Sequence, residues 1–286
     1  MSPSERTDGK ADFTHLYNQP DPRHYFGTLR RYGYQIPGHA QPVFRALTAA
    51  RRSDGGGAVL DVCCSYGVNA ALLRCDLSLD DLYQHYGSPD LAGLSTEQLA
   101  EHDRAWYAER LRSDATTVLG LDAASLAVAY ASDVDLLDAG WGEDLEKQDP
   151  SAGLADAVVG VDLVTITGGV GYVSAHTFER LLGALQHDPA PWVAAFVLRT
   201  YSSADITDVL GRHGLVTERA TTSFRQRQFA TDGERDTALA AVRGRGLDPL
   251  GREADGWYHC DFFLSRPAGD DDPALADLIA TTPPPA

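Results

Sequence analysis

Short apolar segments that alternate with amphipathic stretches constrain the fold of this chain more than any other feature. Apolar segments of strand length are separated by stretches with helical periodicity. Strands connected by helices in this way form a mostly parallel sheet with helices on both faces. The pattern predicts a Rossmann-like α/β fold with strands at residues 58–62, 116–122, 162–167, 192–200, 215–224 and 257–264, and helices at 68–73, 123–131, 175–185 and 204–213.

The charge balance restricts the partners of the chain. With 24 basic and 41 acidic side chains, the formal net charge is −17. Because nucleic-acid binding depends on clustered Lys and Arg, no nucleic-acid partner is expected. No apolar run approaches the roughly 20 residues of a membrane-spanning helix, and the first residues are polar where a signal peptide would be apolar. We expect a cytoplasmic protein that acts on a small molecule without a membrane partner; the sequence does not indicate its oligomeric state.

Cysteine and lysine usage limits the cofactors. The four cysteines, at positions 63, 64, 75 and 260, include no Cys-x-x-Cys pair, so neither a disulfide framework nor a metal site is expected. The two lysines, Lys10 and Lys147, both lie away from apolar runs. Because pyridoxal phosphate needs a sheltered Schiff-base lysine, that cofactor is not expected either.

Composition also predicts the organisation of the chain. Residues 1–12 and 267–286 are polar or proline-rich without sustained periodicity, and both are predicted to be disordered tails. Between them, residues 13–54 form an aromatic N-terminal cap and residues 55–266 form the catalytic domain. Three aromatic residues of the cap are candidates for closing a pocket: Tyr25, Tyr32 and Tyr34.

The connection between the first two strands is unusually long. It contains about 55 residues, whereas a minimal crossover needs about 10 to 12. The surplus, at about residues 76–114, has a helical pattern. It is predicted to be an insertion that forms a lid or a pocket wall.

A turn of unusual composition follows the first strand. The segment Asp61-Val62-Cys63-Cys64-Ser65-Tyr66-Gly67 leads into a helix, and Asp122 follows the second strand. In a parallel sheet, this pattern places a tight turn, a helix N-terminus and a ribose-binding acid at one edge. A pyrophosphate site would have a glycine-rich turn instead, and Cys63 and Ser65 replace two of its glycines. The sequence therefore predicts a nucleoside site, with the cysteines as packing residues rather than nucleophiles.

Over about residues 55–266 the chain resembles the class I S-adenosylmethionine-dependent methyltransferases. Their first motif, acid-x-Gly-x-Gly-x-Gly, corresponds to Asp61, Cys63, Ser65 and Gly67, and their ribose-binding acid corresponds to Asp122. The resemblance implies a seven-stranded sheet with a reversed last strand, and S-adenosylmethionine as substrate or methyl donor. The implied cofactor-binding residues are Asp61, Cys63, Ser65, Gly67, Asp122, Ala123, Asp133, Asp135, Thr167 and Gly168, with Asp133 and Asp135 as candidates for contacting the adenine amine.

Three segments together are similar to a small branch of this fold. They are the Cys-Cys-Ser-Tyr-Gly turn, the Gly-Gly-Val-Gly-Tyr loop ending at Tyr172, and residues 196–201. Members of that branch cyclise S-adenosylmethionine and release methylthioadenosine with a small-ring amino acid. The branch implies specialised metabolism, with the hydroxyls of Tyr172 and of Thr200 or Ser202 as catalytic groups that orient the α-amine.

Three functions follow from these resemblances. Cyclisation, the favoured reading, needs one substrate and gives azetidine-2-carboxylate rather than 1-aminocyclopropane-1-carboxylate, because the α-carbon is too weakly acidic without an electron sink. The alternative is methyl transfer to a small-molecule acceptor, which needs a second substrate. The third is a non-catalytic nucleoside-binding or sensor protein.

Overall fold

The computed structural model describes residues 14–53, 57–185 and 190–280. The strands are β1 (Ala58–Val62), β2 (Thr117–Leu121), β3 (Ala139–Trp141), β4 (Val161–Thr167), β5 (Trp192–Leu198), β6 (Leu215–Gln228) and β7 (Trp257–Pro267). The helices are α1 (Thr14–Tyr17), α2 (Arg23–Arg31), α3 (Ile36–Ser53), α4 (Val68–Arg74), α5 (Leu79–Tyr86), α6 (Thr96–Ala108), α7 (Ser125–Asp133), α8 (Ala152–Ala157), α9 (Ala175–Ala184), α10 (Ala204–Arg212), α11 (Asp232–Gly244) and α12 (Leu275–Ala280).

All seven strands belong to one sheet in the order β3-β2-β1-β4-β5-β7-β6. Strands β1 to β5 are parallel, whereas β7 runs antiparallel to both β5 and β6. The predicted fold class is confirmed, including the reversed strand. The order reverses at β1, whose neighbours are β2 and β4, so a crevice forms outside the carboxyl ends of these three strands.

Side chains alternate across the central strands and fill a core on each face of the sheet. On β5, Trp192 and Phe196 belong to the core that contains the cap helix α3, whereas Val193 and Val197 face the other core with Phe178 of α9. This period of two is what a strand covered on both faces requires. The sheet is therefore rigidly held beneath the crevice.

The insertion after β1 is helical, as predicted, and comprises α5, a short 3-10 turn and α6. A buried carboxylate joins its two helices to α7. Asp103 accepts hydrogen bonds from the hydroxyls of Tyr86 and Tyr130 at 2.7 and 2.6 Å, and its other oxygen lies 2.7 Å from Nε2 of His85. This saturated network fixes the insertion against the sheet domain.

Several predicted boundaries differ from the structure. The short strand β3 and the helices α11 and α12 have no counterpart in the prediction, and β6 continues four residues beyond Phe224. The prediction of a tail from residue 267 onward is wrong for α12, because Leu278 is buried in the core with α3. Six-residue α12 is too short to show a helical period. The predicted tail at 1–12, and residues 281–286, lie outside the described residues.

Within the residues that the structure describes, no helix combines the length and the hydropathy of a bilayer-spanning segment.

Candidate active site

A cavity of about 460 Å³ lies at the carboxyl ends of β1, β2 and β4. The cap helices cover it from above, and the end of β6 forms one wall. Its volume lies within the roughly 300–1,000 Å³ range of small-molecule sites. Nine of the sequence-predicted site residues line it: Tyr25, Tyr34, Cys63, Ser65, Asp122, Ala123, Thr167, Gly168 and Tyr172.

The turn after β1 adopts a glycine-like backbone although two of its residues carry side chains. Cys63, Ser65 and Gly67 have φ angles of 60°, 50° and 72°, in the left-handed region. L-residues other than Asn and Asp rarely adopt this conformation, which costs about 1–2 kcal/mol per residue. The turn therefore retains the shape that the glycine motif implies, while Cys63 and Ser65 add side chains to the cavity wall.

Neighbouring glycines make room for the two cysteines of the turn. A Cβ at Gly169 would lie 2.7 Å from Sγ of Cys63, and one at Gly120 would lie 2.9 Å from Sγ of Cys64. Burial raises the pKa of both thiols well above the ordinary value. Protonated, packed thiols are poor nucleophiles, which agrees with the prediction that they are packing residues.

Asp122 connects the turn after β1 to the loop after β2. Its Oδ2 accepts a hydrogen bond from the backbone N–H of Ser65 at 2.9 Å, and its Oδ1 accepts one from Ala124 at 2.8 Å. Because each carboxylate oxygen can accept two hydrogen bonds, both oxygens keep capacity for a ligand. The half-buried carboxylate lines the cavity, and burial raises its pKa.

Asp61 lies beneath the cavity rather than in its wall. Its side chain is fully buried, and Oδ1 accepts hydrogen bonds from Asn69 Nδ2 at 2.9 Å and Thr165 Oγ1 at 2.8 Å. Oδ2 has no hydrogen-bond partner among the described residues. Burial raises the pKa of Asp61 to about 7, because the two hydrogen bonds do not offset the desolvation of the carboxylate. An acid whose pKa is near neutral therefore lies beneath the cavity.

The last predicted glycine of the motif has a packing role. Gly67 lies outside the cavity wall, and a Cβ there would lie 3.1 Å from the Cβ of Ala131 on α7. The position combines a left-handed backbone with close packing between α4 and α7. Glycine satisfies both requirements.

Aromatic side chains from the cap and from the loop after β4 close one end of the cavity. The ring of Tyr17 lies 6.3 Å from the ring of Tyr172 and 5.6 Å from that of Tyr25, measured between centroids. Tyr25 and Tyr34 share a side-chain hydrogen bond, and burial raises the pKa of both hydroxyls well above the ordinary value. These phenols remain neutral at physiological pH. Tyr17 is absent from the predicted site, although it is an aromatic residue of the cap, as Tyr25 and Tyr34 are.

The sequence prediction also omits Gln226 and Arg227, which line the cavity from the end of β6. The guanidinium of Arg227 makes two hydrogen bonds to the buried carboxylate of Glu234, at 2.6 and 3.0 Å, and lies 4.9 Å from the ring centroid of Tyr258. Both residues lie beyond the predicted end of the strand, in a polar Arg-Gln-Arg-Gln run. Buried polar side chains at the end of a strand indicate a site. This signal becomes readable only when the strand is known to extend as far as these residues.

In the part of the cavity wall that follows β3, the acids differ from those predicted. Glu143 and Asp144, after β3, line the wall together with Lys147, whose ammonium lies 2.7 Å from Oδ2 of Asp144. Asp133 and Asp135 do not reach the cavity. They lie at the C-terminal end of α7, where Arg104 bonds to the carbonyl of Asp133 and lies 3.4 Å from the carboxylate of Asp135.

Thr200 and Ser202 are also outside the cavity wall, so the prediction that they converge with Tyr172 on one ligand atom is wrong. Strand β5 ends at Leu198, and Oγ of Ser202 accepts a hydrogen bond from the N–H of Ala204 at the start of α10. The ring of Tyr201 occupies the space next to the loop instead, 2.7 Å from where a Cβ of Gly171 would lie.

Two predictions about the pocket walls are likewise wrong. Tyr32 is not part of the cavity wall; it packs against the core, and its carbonyl accepts a hydrogen bond from Gln228. No residue of the insertion at 76–114 lines the cavity. The insertion supports the cap from behind, where the hydroxyl of Tyr83 donates to the carbonyl of Tyr34 at 2.5 Å. The cap therefore fills the position that the insertion was predicted to take.

Three polar side-chain atoms around the cavity are buried without a hydrogen-bond partner among the described residues. They are Oδ2 of Asp61, Oγ of Ser65 and Oε1 of Gln226. A buried polar atom without a partner costs about 1–3 kcal/mol, so a water, an ion or a ligand that supplied partners to these atoms would stabilise the fold.

Comparison with known proteins gives structural neighbours only. No family model and no curated protein sequence matches the chain. Magnesium protoporphyrin IX methyltransferase from Synechocystis PCC 6803 with bound SAM is 13% identical, with 80% of each chain covered and a TM-score of 0.38. The plantazolicin methyltransferase BpumL in complex with SAH is 11% identical, with 89% of this chain and 93% of that chain covered and a TM-score of 0.45. Precorrin-6y C5,15-methyltransferase from Geobacter metallireducens GS-15 is 11% identical, with coverages of 78% and 87% and a TM-score of 0.37.

Identities and TM-scores of this size do not establish a shared activity.

Proposed function

We propose that this protein binds S-adenosylmethionine in the cavity and transfers its methyl group to a small-molecule acceptor. The observation that carries the proposal is the juxtaposition of Asp122 with the left-handed turn from Cys63 to Gly67, at the reversal point of the strand order. An acid and a tight turn at the ends of neighbouring parallel strands suit a ribose and the chain attached to it. The free acceptor positions of Asp122 would take the ribose hydroxyls.

The tyrosine-lined end of the cavity suits the sulfonium and the acceptor. A cation near an aromatic face gains about 0.5–2 kcal/mol, and Tyr17, Tyr25 and Tyr172 present rings there. S-adenosylmethionine supplies an electrophilic methyl group. The contribution of the protein is to exclude water under the cap and to orient the two reactants, which together lower the barrier by pre-arranging them.

A second candidate function is cyclisation of S-adenosylmethionine. Tyr172 favours it, because this predicted amine-orienting residue lines the cavity. The α-amine, after losing a proton to solvent, would attack the γ-carbon; the carbon–sulfur bond would break, and methylthioadenosine would leave with the electron pair on sulfur. Azetidine-2-carboxylate is the product that balances this step.

Methyl transfer is the better supported reaction, because Thr200 and Ser202, which were predicted to orient the α-amine for cyclisation, lie outside the cavity wall. Only Tyr172 of that predicted group remains in position.

Incubation with S-adenosylmethionine, followed by mass spectrometry, distinguishes the two reactions. Methyl transfer predicts that the cofactor is stable alone and becomes S-adenosylhomocysteine only when an acceptor from a small-molecule extract is added. Methylthioadenosine formed without an acceptor would establish cyclisation instead. Binding without turnover under both conditions would leave a sensor role, and absence of binding would refute the proposal.

A further inference from the structure

One cavity residue has a polar group that the fold leaves unsatisfied and that the proposed function does not yet use. Gln226 is only 4% exposed, lines the cavity, and its Oε1 has no hydrogen-bond partner among the described residues. An amide oxygen has two acceptor positions. A buried carboxamide in this state is expected to be completed by a ligand.

The backbone holds Gln226 at the junction of the cap and the sheet. Its carbonyl accepts a hydrogen bond from the N–H of Gln35 at 2.8 Å, next to the start of α3. Two residues further along, the N–H of Gln228 donates to the carbonyl of Tyr32. The strand end that carries Gln226 is therefore held by two backbone hydrogen bonds to the segment between α2 and α3.

The carboxamide lies directly over the loop after β4. A Cβ at Gly168, whose φ is 66°, would lie 2.4 Å from Nε2 of Gln226. Gly168 follows Thr167, and Oγ1 of Thr167 accepts a hydrogen bond from Asn69 on the helix after the β1 turn. The amide thus faces the loop after β4, which Asn69 joins to the turn after β1. If the ribose lies at Asp122, the amino-acid arm attached to it passes this turn.

We propose that Gln226 binds the α-ammonium group of the methionine arm through its amide oxygen. The inference rests on the proposed function, since it requires S-adenosylmethionine in the cavity. An ammonium N–H satisfies the unpartnered oxygen, and a hydrogen bond to a charged group is about twice as strong as one between neutral groups. Gln226 is in this account a substrate-positioning residue, because the direction of the arm determines where the sulfonium lies.

Calorimetry with two ligands tests this proposal without a catalytic readout. S-adenosylhomocysteine carries the amino-acid arm, whereas 5′-methylthioadenosine lacks it. Gln226→Leu should bind S-adenosylhomocysteine about tenfold or more weakly than the wild type does, and should bind methylthioadenosine with unchanged affinity. The exposed Gln228→Leu, on the same strand, is the matched control and should leave both affinities unchanged.

Gln226→Glu tests whether the ammonium or the carboxylate of the arm is the partner of residue 226. A carboxylate at 226 also accepts from the ammonium, so this variant should bind S-adenosylhomocysteine more tightly than the leucine variant does. Binding equal to or weaker than that of Gln226→Leu would overturn the proposal, and weaker binding would place the carboxylate of the arm at this position.

Two further outcomes would also overturn it. Equal affinity of wild type and Gln226→Leu for S-adenosylhomocysteine would show that the amide does not contact the arm. Equal weakening of both ligands would show that residue 226 only shapes the cavity. If the wild-type protein bound neither ligand, the proposed function itself would fail, and this inference with it.

Discussion

Replacing Asp61 by Asn removes a buried ionisable group while keeping the shape of the side chain. An asparagine oxygen can still accept from Asn69 and Thr165, as Oδ1 of Asp61 does. The amide nitrogen would replace Oδ2, which has no partner among the described residues. The substitution therefore isolates the ionisation of Asp61 from its hydrogen bonds.

The pH dependence of stability follows from the pKa of Asp61, which burial raises from the ordinary 3.8 to about 7. Because the folded state holds a proton that the unfolded state releases, the contribution is fully present below pH 3.8 and is lost as the pH rises through 7. With these two values, wild-type protein should lose about 3 kcal/mol of unfolding free energy between pH 5 and pH 9 from this group alone. Asp61→Asn should lack that loss.

Urea denaturation of both proteins at several pH values measures the difference. Other groups titrate in the same range, so the quantity to compare is the difference between the two curves, which should widen by about 3 kcal/mol. The exposed Asp76→Asn should follow the wild-type curve and serves as the control. Parallel curves for wild type and Asp61→Asn would refute the reasoning, because they would mean that folding does not raise the pKa of Asp61.

Three further variants test other parts of the site and its support. Ser65→Gly should change the unfolding free energy by less than about 1 kcal/mol, because relief of the left-handed strain offsets the loss of chain rigidity; a loss of about 2 kcal/mol or more in urea denaturation would contradict this. Tyr172→Phe should bind S-adenosylhomocysteine normally in calorimetry, but turn over at least about tenfold more slowly if its hydroxyl orients a reactant; wild-type turnover would remove the hydroxyl from the mechanism. Asp103→Ala should destabilise the fold by about 3 kcal/mol, because buried donors lose their acceptor; an unchanged melting temperature would show that the network is not stabilising.

The sheet was predictable because its signal is local. The apolar runs Ala58–Val62 and Trp192–Leu198 are strands that are buried on both faces. Such a run can be recognised from its own residues, without information about distant parts of the chain. The turn residues Cys63 and Ser65 and the acid Asp122 were found for a related reason. Each stands directly at the end of a predicted strand, and parallel strands bring their ends together.

The wrong site residues show where that local reasoning fails. Asp133 and Asp135 are close in sequence to the cavity residue Ala124, but α7 runs opposite to the strands and carries them to its far end. Thr200 and Ser202 were placed at a strand end that lies two residues earlier, at Leu198. An error of two residues in a boundary is enough to turn a side chain out of a cavity.

Gln226 and Arg227 were missed for a different reason. The strand β6 contains register shifts, and its last residues are polar, so periodicity stops before the strand does. The charge of Arg227 is balanced by Glu234 on α11, a helix that the sequence prediction did not contain. Burial of these side chains depends on the cap and on α11, which only the folded chain brings together.

The central claim is that the cavity binds S-adenosylmethionine with its ribose at Asp122. Titration calorimetry with S-adenosylhomocysteine on wild-type protein and on Asp122→Ala tests it most directly. The account predicts one site per chain in the wild type and an affinity about ten- to a hundredfold lower in the variant, since hydrogen bonds to a charged group contribute about 1.5–3 kcal/mol. The affinity for methylthioadenosine, which has the same ribose, should fall by the same factor. Equal affinity of the two proteins for both ligands, with the variant still folded, would contradict the account.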